Sequence, residues 1–357
     1  MTALRDILVR QVMANGPMTL ADYMAACLMH PQHGYYSTRD PLGAAGDFTT
    51  APEISQMFGE LMGLCLAQSW MDQGAPASFV LAELGPGRGT LMADILRATA
   101  RVPGFHDAAR LHLVETSPKL RTEQAGRLPQ ATWHDSVDDL PDGPIFLVAN
   151  EFFDALPVRQ FQRAGEAWQE RVVGLDDEGT LALGLAAPAP QPGLAHRLQD
   201  TRDGDIVETC APAQAVAATL GARIARHGGL ALIVDYGDWR SLGDTLQALQ
   251  GHKAADPLAT PGESDLTTHV DFEALATAAR PATHTLLTPQ GVFLERLGIT
   301  ARAQALAQRL SGEALDSHIA AHRRLTHPAE MGSLFKTIAL LPQGSPPPPG
   351  LELRATP

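Results

Sequence analysis

The segment that decides the fold of this chain reads Phe79-Val-Leu-Ala-Glu-Leu-Gly-Pro-Gly-Arg-Gly-Thr-Leu91. Six residues of buried-strand type lead into three glycines at alternate positions, and a helical pattern over residues 91–98 follows. Glycine lets the backbone turn tightly and approach a ligand, because no Cβ atom stands in the way. The segment therefore predicts a strand, a ligand-binding turn and a helix.

The spacing of the glycines distinguishes two classes of nucleotide cofactor. A dinucleotide fingerprint needs G-x-G-x-x-G, but Thr90 and Met92 stand where its last glycine would fall. The pattern E-x-G-x-G-x-G disfavours NAD and favours S-adenosylmethionine. The cofactor-binding residues predicted in this segment are Glu83, Gly85, Gly87, Gly89 and Thr90.

Three further runs of buried-strand type follow, at residues 111–114, 145–149 and 230–234. Helical or loop-forming segments separate them. Short apolar strands that alternate with helices are typical of a mostly parallel sheet. We therefore predict an α/β fold built on a Rossmann-like sheet.

Polar residues stand where these strands end. Glu115 follows the second strand, where a carboxylate can accept hydrogen bonds from both ribose hydroxyls of a nucleoside. Asp135 could accept from the exocyclic amine of adenine, and Ser136 and Asn150 are also predicted to bind the cofactor. The alternative for Glu115 and Asp135 is that they are solvated loop acids.

A pair of acids follows the strand at residues 145–149. Glu151 and Asp154 lie after its carboxyl end, which in an open parallel sheet faces the ligand crevice. Carboxylates beside a methyl donor suit a guanidinium acceptor, because its planar fork of donors pairs with them. We predict both acids to be catalytic. The alternative is that they cap a helix start.

Two more polar segments contain candidate site residues. Asp47 and Thr50 precede a predicted helix over residues 53–71, and Ser55 lies in its first turn; all three are predicted to bind the cofactor, with helix capping as the alternative. His269 is a candidate substrate contact or proton acceptor. Its segment, residues 265–272, also fits a helix N-terminus, and a lone histidine is more often structural.

The chain is predicted to contain five regions. A helical pattern at residues 4–29 breaks at Asn15-Gly16-Pro17, and Thr19 can cap its second part. Turn signals at residues 164–166 and 176–179 indicate antiparallel hairpins. The predicted regions are a helical N-terminal arm at 1–75, a cofactor-binding half at 76–157, an inserted antiparallel hairpin region at 158–225, the rest of the catalytic domain at 226–342 and a disordered proline-rich tail at 343–357.

Composition excludes several classes of function. The formal net charge is -13 and the basic residues are scattered, so we predict no nucleic-acid partner. Cys27, Cys65 and Cys210 lie far apart, which indicates neither a metal site nor a disulfide framework. The first residues lack an apolar signal region and no run approaches a membrane span, so we predict a cytoplasmic protein without membrane insertion.

The longer motifs resemble the MidA-like family of class I S-adenosylmethionine-dependent methyltransferases. The resemblance covers nearly the whole chain. The motifs that carry it are His30-Pro31-x-x-Gly34-Tyr35-Tyr36, Gly46-Asp47-Phe48 through Phe58-Gly59-Glu60, Glu83-Leu-Gly85-Pro-Gly87-Arg-Gly89-Thr90, Asn150-Glu151-Phe152-Phe153-Asp154-Ala-Leu-Pro157, Asp235-Tyr236-Gly237 and Leu266-Thr-Thr-His269-Val-Asp271-Phe272.

The resemblance implies a function that the residues alone do not reach. Mitochondrial members of the family are protein-arginine methyltransferases that act in the assembly of respiratory complex I. The implied activity is symmetric dimethylation of an arginine near the N-terminus of the 49-kDa-type subunit. The N-terminal arm would form part of a lid over the cofactor, and the hairpin region a substrate wall.

Two other classes of function stay open at this point. One is a methyltransferase for a different nucleophile, such as a small molecule, and the other is an assembly chaperone that binds the cofactor for stability alone. The oligomeric state is also open, with a homodimer among the alternatives.

Overall fold

The computed structural model describes residues 2–38 and 49–354. Within these ranges the chain divides into two compact units. Unit 1 comprises the described residues of Met1–Phe48, Asp154–Ala213 and Arg240–Asp271, and unit 2 those of Thr49–Phe153, Gln214–Trp239 and Phe272–Pro357.

The helices alternate with strands along most of the chain. The α-helices are α1 Ala3–Asn15, α2 Leu20–Met29, α3 Tyr35–Thr38, α4 Ala51–Ile54, α5 Gln56–Asp72, α6 Thr90–Thr99, α7 Phe105–Ala108, α8 Pro118–Arg127, α9 Ala211–His227, α10 Phe272–Ala278, α11 Gln290–Arg296, α12 Ile299–Ala307, α13 Glu313–Thr326 and α14 Met331–Leu334.

The strands range from two to ten residues in length. They are β1 Met18–Thr19, β2 Phe79–Leu84, β3 Ala109–Val114, β4 Thr132–His134, β5 Ile145–Asn150, β6 Arg159–Ala164, β7 Ala167–Leu175, β8 Leu181–Leu185, β9 Ile206–Thr209, β10 Gly229–Asp238, β11 Gln247–Gln250, β12 Lys253–Ala255, β13 Asp265–Thr267, β14 Val270–Asp271, β15 Thr283–His284, β16 Thr288–Pro289 and β17 Phe335–Leu341.

Unit 2 contains the predicted mostly parallel sheet, in the order β15-β17-β10-β5-β2-β3-β4. The strands from β10 to β4 are parallel to one another, and β17 joins β10 antiparallel. The chain runs outward from β2 to β3 and β4 on one side, and continues with β5 and β10 on the other. The strand order therefore reverses between β2 and β5, where ligands bind at the carboxyl ends of the strands.

The core of unit 2 fixes the helix that follows the glycine turn. Leu91, Met92 and Ile95 of α6 are buried together with Met57 and Leu61 of α5. Because α6 begins at Thr90, directly after the glycines, this packing also fixes the end of the turn. Burying an aliphatic side chain of this size contributes about 1.5–3 kcal/mol.

Unit 1 contains an antiparallel sheet in the order β1-β7-β6-β9, with β8 also paired to β7. The turns between β6, β7 and β8 fall at the predicted positions. The predicted break in the N-terminal helical pattern is confirmed, since α1 ends at Asn15 and α2 begins at Leu20. Thr19 caps α2 by accepting a hydrogen bond from the backbone N–H of Asp22 at 3.0 Å.

One predicted helix boundary was wrong. The helix predicted from residue 53 is interrupted at Ser55, whose extended backbone ends α4 and whose hydroxyl caps α5. The segment at residues 265–272, for which a helix N-terminus was the alternative, contains β13 and β14 and ends where α10 begins at Phe272.

The two units also divide the chain differently from the predicted regions. Residues 49–75, predicted as part of the N-terminal arm, belong to unit 2, because α5 packs in its core. Unit 1 is assembled from three separate segments, so it includes residues 240–271 as well as the hairpin region.

The proline-rich tail is packed over the part that the structure describes, contrary to the prediction of disorder. Leu351 is buried in the core of unit 2, and Leu353 forms an isolated β-bridge with Thr285. Within residues 2–38 and 49–354, no helix combines the length and apolar character needed to cross a membrane.

Candidate functional site: a cofactor turn at the reversal of the sheet

Four predicted site residues lie at the carboxyl ends of neighbouring parallel strands in unit 2. Glu83 is the fifth residue of β2, Glu115 follows β3, and Asn150 ends β5. The glycine turn begins at Gly85, directly after β2. The reversal of the sheet thus brings these predicted residues to one edge.

The glycine turn has the left-handed backbone that favours glycine. Gly85, Gly87 and Gly89 have φ values of 60°, 53° and 77°, a region that other L-residues rarely adopt. A Cβ atom on Gly85 would also lie 3.0 Å from Cδ2 of Phe152. Both conformation and space therefore require a small residue at the start of the turn.

Glu83 is a buried acid with an unused oxygen. The backbone N–H of Met92, in the first turn of α6, donates to its carboxyl group. Its Oε2 atom has no hydrogen-bond partner among the residues that the structure describes. Burial raises the pKa of Glu83 to about 8, and the nearby Glu115 carboxylate adds to this shift.

The pKa of Glu83 predicts a pH dependence of stability. The native carboxyl keeps its proton up to about pH 8, whereas its ordinary pKa is 4.5. Its contribution to the free energy of unfolding is therefore fully present below pH 4.5 and falls by about 1.4 kcal/mol per pH unit above it. Since Glu83→Gln has no such proton, urea unfolding without cofactor should show the variant gaining on wild type as the pH rises. A constant difference would contradict a protonated Glu83.

Glu115 is buried and only partly satisfied by the protein. Its Oε1 atom accepts from the backbone N–H of Ser117 at 2.8 Å, and Oε2 accepts from Nε2 of Gln124 at 3.3 Å. Burial raises its pKa above the ordinary value, while these hydrogen bonds oppose the shift. A carboxylate offers about four acceptor positions, so Glu115 can still accept from a ligand.

Glu151 has an unusual backbone and a defined set of partners. Its φ is 51°, in the left-handed region. This conformation is energetically unfavourable for any residue that carries a side chain. Its Oε1 atom accepts from the backbone N–H of Ala51 at 3.1 Å and from Nδ2 of Asn150 at 3.0 Å. The acid thus caps the short helix α4, not a helix that follows it in the chain. Such strain concentrates at functional sites.

Comparison with known proteins identifies the family. A family model described as "Putative S-adenosyl-L-methionine-dependent methyltransferase" matches residues 61–290. This chain belongs to that methyltransferase family. The Danio rerio protein arginine methyltransferase NDUFAF7, mitochondrial, is 37% identical over 362 residues, which cover 94% of this chain and 86% of the relative. The Homo sapiens protein of the same name is 36% identical over 364 residues, with coverages of 94% and 82%.

A solved structure gives the same result for the fold. A Burkholderia thailandensis protein with bound S-adenosyl-homocysteine is 29% identical, with a TM-score of 0.82 over 98% of this chain and 94% of that chain. The predicted family, the class I methyltransferase fold and the cofactor S-adenosyl-L-methionine are therefore confirmed.

The residues of this methyltransferase at the sheet reversal fit a nucleoside with a charged amino-acid tail. Glu83 Oε2 and Asn150 Oδ1 are buried oxygens without partners in the described ranges. Buried polar atoms are nearly always paired in a functional state, so these oxygens indicate polar atoms of a ligand opposite them. The glycines leave room for the ligand to approach the backbone, and Glu115 retains acceptor capacity.

Other predicted cofactor residues are already engaged within the methyltransferase. Asp135 is exposed and forms an ion pair with Arg121 at 2.6 Å. The Ser136 hydroxyl accepts from the backbone N–H of Asp138, and Ser136 thereby caps a short 3₁₀ helix. Thr90 donates to Oε1 of Glu53 at 2.5 Å. These contacts give the three side chains partners within the protein, and their roles in cofactor binding stay predictions.

The segment before α5 gives a mixed result. Thr50 is the N-cap residue of α4, but its side chain makes no capping hydrogen bond. Ser55 caps α5 by accepting from the backbone N–H of Met57 at 3.2 Å. Asp47 lies outside the residues that the structure describes.

The other two predicted catalytic residues of the methyltransferase belong to unit 1. Asp154 is buried, and its backbone carbonyl accepts from the N–H of Thr268 at 3.0 Å. His269 is half-buried, with its Nε2 atom 3.2 Å from Nε2 of Gln247 and its backbone N–H donating to Thr245. Glu151, the remaining predicted catalytic residue, belongs to unit 2.

Sequence reasoning missed Gln124. This side chain is fully buried and bonds to Gly87, Glu115 and Trp133. A signal was present, because Leu120 on α8 and Leu128 at its C-cap lie four residues to either side of Gln124, and both are buried. A glutamine at the centre of an apolar helix stripe indicates a buried polar contact.

Proposed function

We propose that this methyltransferase acts on an arginine side chain of a protein, and that its target is the 49-kDa-type subunit of respiratory complex I. The observation that carries the acceptor class is the set of relatives named as protein arginine methyltransferases, which match 94% of this chain at up to 37% identity. The subunit itself comes from the resemblance of the long sequence motifs to the MidA-like family.

The position of Glu151 supports a guanidinium acceptor. S-adenosyl-L-methionine supplies a methyl group bound to a positively charged sulfur. In this proposal the Glu151 carboxylate accepts hydrogen bonds from the guanidinium and holds its positive charge away from the attacking nitrogen. The hydrogen bonds from Ala51 and Asn150 hold the carboxylate in place before substrate binds. Methylation of a guanidinium nitrogen releases one proton, and a nearby base must take it.

Asp154 and His269 keep their predicted roles as further proposals. Asp154 would hold the guanidinium, and His269 would accept the released proton. A second acid of unit 1, Asp265, accepts a hydrogen bond from the hydroxyl of Tyr36 at 2.9 Å. Burial raises the pKa of Tyr36, and the Asp265 and Asp154 carboxylates raise it further, so the phenol stays a donor.

The test is a methyl-transfer assay with a defined acceptor. The purified protein, isotopically labelled cofactor and the 49-kDa-type subunit are incubated together, and peptides are analysed by mass spectrometry. We expect an added mass of two methyl groups on one arginine near the N-terminus of the subunit. The matched control is the same subunit with that arginine replaced by lysine, which keeps the charge but removes the fork of donors.

Other outcomes would contradict the proposal in distinct ways. Label on a metabolite pool and not on the subunit would indicate a methyltransferase for a small nucleophile. Cofactor binding without any methylated product would indicate a chaperone role. A cytoplasmic location stays a prediction, although the relatives are named mitochondrial. The purified preparation can address the oligomeric state, for which a homodimer is one outcome.

A further inference from the structure

Gln124 makes three hydrogen bonds from a fully buried position on α8. Its Nε2 atom donates to the carbonyl oxygen of Gly87 at 2.7 Å and to Oε2 of Glu115 at 3.3 Å. Its Oε1 atom accepts from Nε1 of Trp133 on β4 at 2.8 Å. One side chain thus links the glycine turn, the acid after β3 and the neighbouring strand.

The orientation of the amide follows from the chemistry of its partners. An indole N–H is only a donor, so the carbonyl oxygen of Gln124 must face Trp133. The amide nitrogen must then face Gly87 and Glu115, both of which present acceptors. The donor and acceptor pattern therefore allows a single orientation of the side chain.

We propose that Gln124 is a positioning residue, which holds the Gly87 carbonyl and the Glu115 carboxylate in the geometry that binds the cofactor. The proposal rests on the assignment of the glycine turn and Glu115 to the cofactor site. Gln124 acts through these two groups. Glu83 and Asn150 differ from Gln124 because each has an oxygen without a partner among the described residues, which is available to the ligand itself.

The contacts of Glu115 show why its position depends on Gln124. Besides the bond from Gln124, the carboxylate accepts from the backbone N–H of Ser117 at 2.8 Å and from that of Thr116. Both of these donors belong to the two residues that directly follow Glu115 in the chain. The hydrogen bond from Gln124 comes from nine residues further along, on α8, and limits the rotation of the carboxylate about its last bond.

The first experiment measures the affinity for S-adenosyl-homocysteine by titration calorimetry, so it does not depend on turnover. Gln124→Met keeps the volume and removes all three hydrogen bonds, and we expect about tenfold weaker binding. A double-mutant cycle with Glu115→Ala tests the coupling. If Gln124 acts through Glu115, the double variant should bind clearly better than the sum of the two losses predicts.

The second experiment introduces a negative charge at the same position. Gln124→Glu keeps an acceptor for Trp133 but places a carboxylate oxygen against the Gly87 carbonyl and the Glu115 carboxylate. We expect affinity for S-adenosyl-homocysteine to fall as the pH rises and to recover at acidic pH, where the introduced carboxyl is protonated and can donate. The matched control is Gln130→Glu, an exposed position six residues away, whose pH profile should follow wild type.

Several results would overturn the proposal. It is wrong if the folded Gln124→Met and Gln124→Glu variants both bind like wild type, or if the cycle is additive. If Gln124→Met does not fold, Trp133→Phe and the pH profile of Gln124→Glu decide instead, and unchanged affinity in both would again refute it. Wild-type binding by Glu115→Ala would instead refute the ribose assignment, which separates failure of the proposed site from failure of Gln124.

Discussion

Replacing Gly87 by valine is expected to abolish binding of S-adenosyl-L-methionine. Gly87 has a φ of 53°, and the left-handed conformation costs a residue with a Cβ atom roughly 1–2 kcal/mol, more when the side chain is β-branched. Relieving that strain would move the carbonyl that Gln124 holds at 2.7 Å. A valine side chain would also occupy space where the backbone approaches the ligand. Calorimetry should detect no binding, while circular dichroism stays near wild type.

A second glycine separates strain from loss of the site. Gly165 lies in the turn between β6 and β7 with a φ of 62°, and a Cβ atom there would meet nothing within 4 Å. Gly165→Val therefore introduces comparable backbone strain in the other unit. It should lower the melting temperature but leave cofactor affinity unchanged. Equal loss of affinity in both variants would show that strain alone, and not the position of Gly87, weakens binding.

Local sequence patterns predicted the strand before the glycine turn and the helix after it. The strand at Phe79–Leu84 and the helix after the turn appear where they were expected, because each is determined by its own run of apolar or glycine residues. The reversal of the sheet after β4 follows from the general topology of alternating strands and helices. Glu115 and Asn150 reach the same edge for that reason.

Contacts between distant segments could not be predicted in this way. Glu151 is an acid at a strand end, as predicted, but its partner is the backbone N–H of Ala51, one hundred residues earlier. Leu351 is buried because a core surface formed by other parts of unit 2 receives it, which no property of the tail itself indicates. The sequence around a residue does not show which hydrogen-bond donor or apolar surface from elsewhere in the fold will contact it.

Ambiguous residue types account for the remaining differences. Asp135 follows β4, and Arg121 on α8 forms an ion pair with it at the surface. Ser55 looked like a residue within or before one helix, but its hydroxyl begins a second helix. Serine and aspartate serve as caps, surface partners and ligand contacts alike, so their type and position cannot separate these roles.

Replacing Glu151 by glutamine is expected to reduce methyl transfer strongly while cofactor affinity is retained. Glutamine keeps one carbonyl oxygen, which can still accept from the N–H of Ala51 and from Nδ2 of Asn150. It loses the negative charge that would hold the guanidinium charge away from the attacking nitrogen. Removing one preorganised electrostatic group commonly lowers turnover on the order of 10²–10³-fold. Single-turnover transfer to the acceptor protein at saturating cofactor measures this effect.

The capping contact of Glu151 provides the alternative explanation, and stability separates the two. A residue that only caps α4 would cost about 0.5–2 kcal/mol of stability when the cap is lost, with normal transfer once folded. Because glutamine can keep the capping oxygen, a catalytic role predicts nearly unchanged melting together with collapsed transfer. Glu352→Gln, at an exposed acid paired with Arg296 at 3.1 Å, is the matched control and should transfer methyl normally. Wild-type transfer by Glu151→Gln, at any melting temperature, would make Glu151 a structural residue, and the guanidinium would then need another carboxylate.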